Sequence, residues 1–140
     1  MVRHLAVVHR ELAAEHAELM ALVTGLASHP GLPGLVPLLE TLHEALIRHF
    51  SHEQFPGGLY EALGGLGAEH HEEIRALIRE HCTILSDVRG LLEHARAAEP
   101  EAEHTLLARR DAVVAAVRAH EEREHRLADR ALHRGSRPSS

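Results

Sequence analysis

The sequence predicts an all-α fold, an antiparallel up-down-up-down four-helix bundle, and three observations carry that expectation. Alanine, leucine, glutamate and arginine dominate while aromatic residues make up only 2% of the chain, a composition that favours helix and gives a sheet little to pack with. Four long stretches place apolar residues at steps of three and four, the period of one buried helical face. Between them lie short clusters of glycine and proline, which end helices and leave room only for tight connections. A chain of 140 residues suffices for one domain with a real core; the bundle is expected over residues 1–133, followed by a tail over 134–140.

The first helix is expected from Met1 to about His29, with Leu5, Val8, Leu12, His16, Leu19, Val23 and Leu26 on one stripe. Pro30-Gly31-Leu32-Pro33-Gly34 ends it. The second helix carries Leu35, Leu39, Leu42, Leu46, His49 and Glu53 until Pro56-Gly57-Gly58 breaks the pattern. Leu59 to Leu63 has the length of one further helical turn or two. After Gly64-Gly65-Leu66-Gly67 the third helix runs from about Ala68 to Ala97, with Ile74, Leu77, His81, Leu85, Val88 and Leu92 facing inward and His70 near the start of the same stripe. Glu99-Pro100 marks the next turn, proline being suited to a first helical position. The fourth helix carries Leu106, Val113, Val117, His120, Glu124, Leu127 and Ala131. From Arg134 to Ser140 the chain is polar and is expected to be disordered.

Several function classes are excluded by charge and composition. A net charge of −6 argues against a nucleic-acid partner, which needs a basic surface to meet phosphate. A single cysteine, Cys82, leaves no intramolecular disulfide and no cysteine-rich zinc site; it reads as a small packing residue. No apolar run approaches about 18 residues and the start is not a basic segment leading into one, so the expectation is a soluble cytoplasmic protein with no membrane partner. No zinc-protease motif, phosphate loop or nucleophile triad is present. Tyr60, the only tyrosine, reads as a capping residue at the kink in preference to the lining of a channel to the site. The run Glu69-His70-His71-Glu72-Glu73 reads as a solvated helix start, where acids suit the helix dipole.

The unusual count is 15 histidines in a chain with no lysine. His49 and Glu53 are one helical turn apart, as are His120 and Glu124, so each pair projects from one face and can hold a metal. Spacing alone does not single them out: roughly two such pairs are expected by chance, and His125 with Asp129 makes a third. Glu-x-x-His pairs, Glu40/His43, Glu101/His104 and Glu122/His125, are no more telling. The apolar stripes do discriminate, because a ligand must point into the bundle. His16, His49, Glu53, His81, His120 and Glu124 fall on the stripes, whereas His43, His104, His125 and Asp129 fall beside them.

A second test is independent of the first. In antiparallel hairpins, residues at one height are equidistant in sequence from the turn between them. The midpoint of His16 and His49 falls in the Pro30 to Gly34 cluster, that of His49 and His81 in Gly64 to Gly67, and that of His81 and His120 at Glu99-Pro100. Taking His70 instead of His81 shifts the last midpoint by about five residues, or roughly 8 Å of helix rise. Four histidines and two glutamates are thus expected at one level of the core. Buried without a metal they would leave costly unpaired groups.

With these residues in place the sequence resembles the hemerythrin-like family, the cation-binding domain named for its His-His-Glu pattern. The resemblance covers the chain to about Leu132 and rests on His16, on His49-Phe50 with Glu53, on Glu80-His81 followed by Ile84-Leu85, and on His120-Glu121 with Glu124. It implies two non-haem iron ions bridged by the carboxylates of Glu53 and Glu124, with the histidines as terminal ligands. Oxygen-carrying members have two histidines a turn apart on the third helix, whereas the positions a turn either side of His81 are Leu77 and Leu85. Glu121, His52, Glu80 and His70 are the candidates to supply the missing ligand. The implied partner is a small diatomic molecule or peroxide (oxygen, nitric oxide or hydrogen peroxide), bound or turned over in an apolar core. The alternative is an iron-binding storage or sensor module without turnover, and a third reading is a metal-free histidine-rich bundle. The sequence leaves the oligomeric state open.

Overall fold

The computed structural model describes residues 4–135, and over them the chain is all-helical, with four long helices, one short one and no strand. Helix α1 spans Leu5–Ala27, α2 Leu35–Gln54, α3 Leu59–Gly64, α4 His71–Arg96 and α5 Glu103–Gly135. Single 3-10 turns, Ala68–His70 and Pro100–Ala102, lead into α4 and α5. Each long helix packs against two others: α1 lies on α2 and α5, and α4 lies on α2 and α5, so the four close a ring. None is long and apolar enough to cross a membrane.

The breaks fall where the chain chemistry requires them. The His4 side chain accepts the Ala6 N–H at 3.3 Å and caps α1, and the Ser28 hydroxyl donates to the Thr24 carbonyl at its other end. Gly34 enters α2 with φ +82°, a left-handed conformation that favours glycine. The connection between α1 and α2 is pinned from α5: Leu32 N–H donates to Glu103 and the Arg110 guanidinium to the His29 carbonyl.

Two apolar clusters form the core. One gathers Leu19 to Leu26, Leu35 to Phe50, Ile84 to Leu92 and Leu106 to Val117; the other gathers Leu5, Val8, Leu59, Leu63, Ile74, Leu77, Leu127 and Ala131. Six of the buried polar residues, His49, Glu53, His81, His120, Glu121 and Glu124, fall in sequence where the chain passes between the clusters: around the end of α2 ahead of Leu59, between Leu77 and Ile84 of α4, and between Val117 and Leu127 of α5. Apolar packing on both sides offsets the burial of this polar layer.

Three stripe positions depart from expectation. Leu12 and His16 are only half-buried, and on α4 it is Ile84 rather than Leu85 that is fully buried. Cys82 is exposed, which corrects its reading as a packing residue. Helix α5 continues to Gly135, past the expected boundary at His133. The rest of the expected tail, 136–140, and the expected helical start at Met1 lie outside the described residues.

The Pro56-Gly57-Gly58 break is also a device for placing α3. Gly57 has φ +84°, and a Cβ on Gly58 would stand 2.2 Å from the His52 carbonyl oxygen. Backbone contact this close leaves no room for a side chain. Gly58→Ala is therefore expected to destabilise the protein by about 1–3 kcal/mol through overpacking and to unseat α3. Thermal unfolding checks it, and a melting temperature within error of the parent would show that the close approach is unimportant.

Candidate metal centre

The six residues expected at one level do meet there. Glu53, His81, His120 and Glu124 each present one donor atom within 4.8 Å of the others; His16, His49 and Glu121 do the same, and His49, Glu53, Glu121 and Glu124 join the two groups. These side chains come from all four long helices. Glu53 reaches both halves, with Oε1 3.1 Å from His81 Nε2 and Oε2 3.1 Å from His49 Nε2. These buried groups can hold a metal ion, and their donors, imidazole and carboxylate without thiolate, suit a hard to intermediate cation.

The histidines are oriented from behind. His49 Nδ1–H donates to Glu15 at 2.9 Å, His120 Nδ1–H to Glu80 at 2.7 Å and His81 Nδ1–H to Gln54 Oε1 at 2.6 Å. Each acceptor is an oxygen, so a proton sits on each Nδ1 and Nε2 is the ring nitrogen that faces the cluster. Phe50 stacks on His81 with ring centroids 3.7 Å apart and planes 8° from parallel, which fixes the ring plane. Among the described residues four buried side-chain atoms have no hydrogen-bond partner: His49 Nε2, His120 Nε2, Glu53 Oε1 and Glu121 Oε1. All four belong to the cluster. Buried donors and acceptors left unpaired are costly, and atoms that converge without bonding one another are arranged as ligands of a common centre are.

The electrostatics show how tightly these groups are coupled. Burial and the Glu124 charge beside it raise the Glu53 carboxyl well above the usual range. Burial works against the carboxylates of Glu124 and Glu121 as well. The neighbouring Glu53 and then His120 outweigh it and hold Glu124 low, while His16 and His49 bring Glu121 down to about 2. Burial also disfavours the imidazolium of His49, but the carboxylates of Glu121 and Glu53 push it up to about 11. His81 goes the other way, to about 3, through burial and the neighbouring His120. Protons distributed in this way mark a group of side chains competing for positive charge.

Of the four candidates for the missing ligand, Glu121 joins the cluster. It is 3% exposed and its Oε2 is 2.9 Å from His16 Nδ1. It sits beside His16 and His49, however, and not beside His81. His52 is exposed and bonded to Glu15, Glu80 supports His120 from outside, and His70 faces Glu69 at 3.5 Å. Tyr60 is buried with its hydroxyl in the cluster, so its reading as a capping residue is corrected. The cluster opens on the α1 side, where His16 has 39% of its side chain exposed. A cavity of about 140 Å³ there is lined by His16, His49, Glu53 and Glu124 together with Leu12, Ala13, Leu59 and Ala128, with His9 and His125 also on its wall.

The outer partners give a direct expectation. Glu80→Gln should lower metal affinity about 10–100-fold, the cost of losing an outer-shell acceptor, while leaving the His120 position occupied by the same ring. Metal titration of the folded variant checks it, and unchanged affinity would leave Glu80 a surface partner of Arg123 alone. Comparison of the chain with family models, with curated proteins and with solved structures finds no match.

Proposed function

We propose that the protein is a hemerythrin-like bundle in which two non-haem iron ions, bridged by Glu53 and Glu124, bind or react with oxygen, nitric oxide or hydrogen peroxide. The observation that carries this reading is the set of four converging buried atoms without hydrogen-bond partners. The antiparallel up-down-up-down arrangement belongs to the same proposal. It is supported by the order in which the helices visit the two apolar clusters: α1 and α4 begin in the cluster of Leu5 and Leu77, whereas α2 and α5 begin in the other.

His16, His49 and Glu121 would hold one iron, and His81 and His120 the other. Bound iron would supply the electrons exchanged with a small oxidant. The chain supplies the rest: Glu15, Gln54 and Glu80 fix the imidazoles, and the apolar wall of Leu12, Ala13, Leu59 and Ala128 admits small neutral molecules while excluding hydrated ions. That cavity favours a reacting small molecule over storage, which needs an exit for many ions and no apolar chamber. A cytoplasmic setting, where iron is available and Cys82 stays reduced, accords with this chemistry.

Metal analysis of freshly purified protein from iron-replete cells tests the proposal. Close to two equivalents, mainly iron, are expected, together with a visible spectrum that changes on adding peroxide or nitric oxide. Substoichiometric zinc without iron would overturn it.

A further inference from the structure

Helix α4 gives the cluster one side chain, His81, and a further residue reaches the same group from α3. Tyr60 is 4% exposed, and its hydroxyl oxygen lies 2.8 Å from His81 Nε2 and 2.7 Å from Glu124 Oε2. Both atoms belong to the group formed with Glu53 and His120. We propose that Tyr60 is a metal ligand, binding through its phenolate oxygen to the ion held by His81, His120, Glu53 and Glu124. The inference rests on the metal-centre reading above and extends it to a residue outside the His-His-Glu pattern.

Three features of the site support it. Ligands at about 2.0–2.2 Å from one metal and at right angles to each other lie roughly 3 Å apart, which is the spacing of the Tyr60 oxygen from its two neighbours. The second is a proton count. A phenol has one proton, and two acceptors, Glu124 Oε2 and His81 Nε2, lie within hydrogen-bond distance of it. The ring proton of His81 goes from Nδ1 to Gln54, so the phenol proton can serve only one of the two contacts at a time. A cation among the three atoms satisfies both at once. Third, the assignment evens the two halves: His16, His49 and Glu121 on one side are matched by His81, His120 and Tyr60 on the other, with Leu77 and Leu85 of α4 unable to ligate.

On binding, the Tyr60 oxygen gives its electron pair to the metal and its proton to solvent, one proton per chain. An anionic oxygen donor stabilises the higher oxidation state of iron. The site is thereby shifted from reversible oxygen carriage, which begins at the reduced metal, towards turnover of peroxide from the oxidised one.

The chain has one tyrosine and no tryptophan, so its near-ultraviolet tyrosine signal reports Tyr60 alone in the unmodified protein. Metal-free full-length protein titrated with zinc, a closed-shell ion without absorption of its own, should convert the whole of that signal from phenol to phenolate at neutral pH, in step with the metal bound. The iron(III)-loaded protein should show a visible phenolate-to-iron band that Tyr60→Phe abolishes while iron content is retained. Zinc bound stoichiometrically with an unchanged tyrosine spectrum would overturn the assignment and leave Tyr60 a hydrogen-bond donor to Glu124. Absence of any bound zinc or iron would instead overturn the metal centre itself, and metal analysis of the same sample separates the two failures. Should Tyr60→Phe not fold, the zinc titration of the parent protein decides alone.

Discussion

Glu53→Gln is expected to empty both metal positions while leaving the metal-free protein folded and as stable as the parent within about 1 kcal/mol. The two oxygens of Glu53 serve different halves, Oε1 beside His81 and Oε2 beside His49, so loss of its charge weakens both positions at once. The effect should exceed the roughly 10–100-fold that loss of an outer-shell partner costs. Stability should hold because burial and Glu124 raise the Glu53 carboxyl well above its usual range, so the metal-free fold disfavours the charge there; glutamine keeps the shape of the side chain without that charge. His16→Ala, by contrast, should cost one equivalent, and His43→Ala none, since His43 lies outside the cluster. Loss of a single equivalent from Glu53→Gln would make Glu53 a terminal ligand, and two equivalents at parental affinity would remove it from the site.

Buried stripes made most of this centre readable. His49, Glu53, His81, His120 and Glu124 lie on the apolar periodicity of their helices, and all are buried, because a side chain on the inward face has nowhere else to point. Glu121 was within reach of the same logic. It is four residues after Val117 and three before Glu124, both buried, so the inward face of α5 is wide enough at this height to take two adjacent residues. His16 shows the limit: its stripe position is right, but its exposure depends on how closely α1 packs over the cavity, which periodicity does not encode.

Tyr60 and the outer shell were beyond that reasoning for a different reason. Tyr60 reaches the cluster because of the backbone path through Gly57 and Gly58, and no periodic pattern specifies the direction of a six-residue helix after such a break. Glu80 adjoins His81 in sequence yet supports His120 on another helix. Pairings of that kind depend on helix rotation and separation, which are settled only by packing.

Metal-bound protein is expected to gain stability over the metal-free form steadily from pH 5 to 9, while the metal-free form loses stability above pH 6.5. In the metal-free fold the His49 pKa stands at about 11 against an ordinary 6.5. A folded value above the unfolded one means that its contribution is fully present below pH 6.5 and is lost as pH rises towards 11. His81 and Glu121 act in the opposite sense. Their folded values of about 3 and about 2 lie below the ordinary 6.5 and 4.5, so their contributions are present above those ordinary values and disappear as pH falls through the folded ones. The metal-free protein should therefore be most stable in mildly acidic to neutral solution and decline on either side. Metal binding requires His49 to lose its proton, so the apparent affinity should rise about tenfold per pH unit for each proton displaced at neutral pH; His81, already neutral, displaces none from its ring. The two forms thus diverge in alkali, because the proton on His49 steadies the cluster when metal is absent and, with that on Tyr60, obstructs it when metal arrives. Melting temperatures of loaded and chelated protein across pH 5 to 9 measure the divergence directly. Parallel curves would mean that His49 keeps its proton in both forms and is not a ligand.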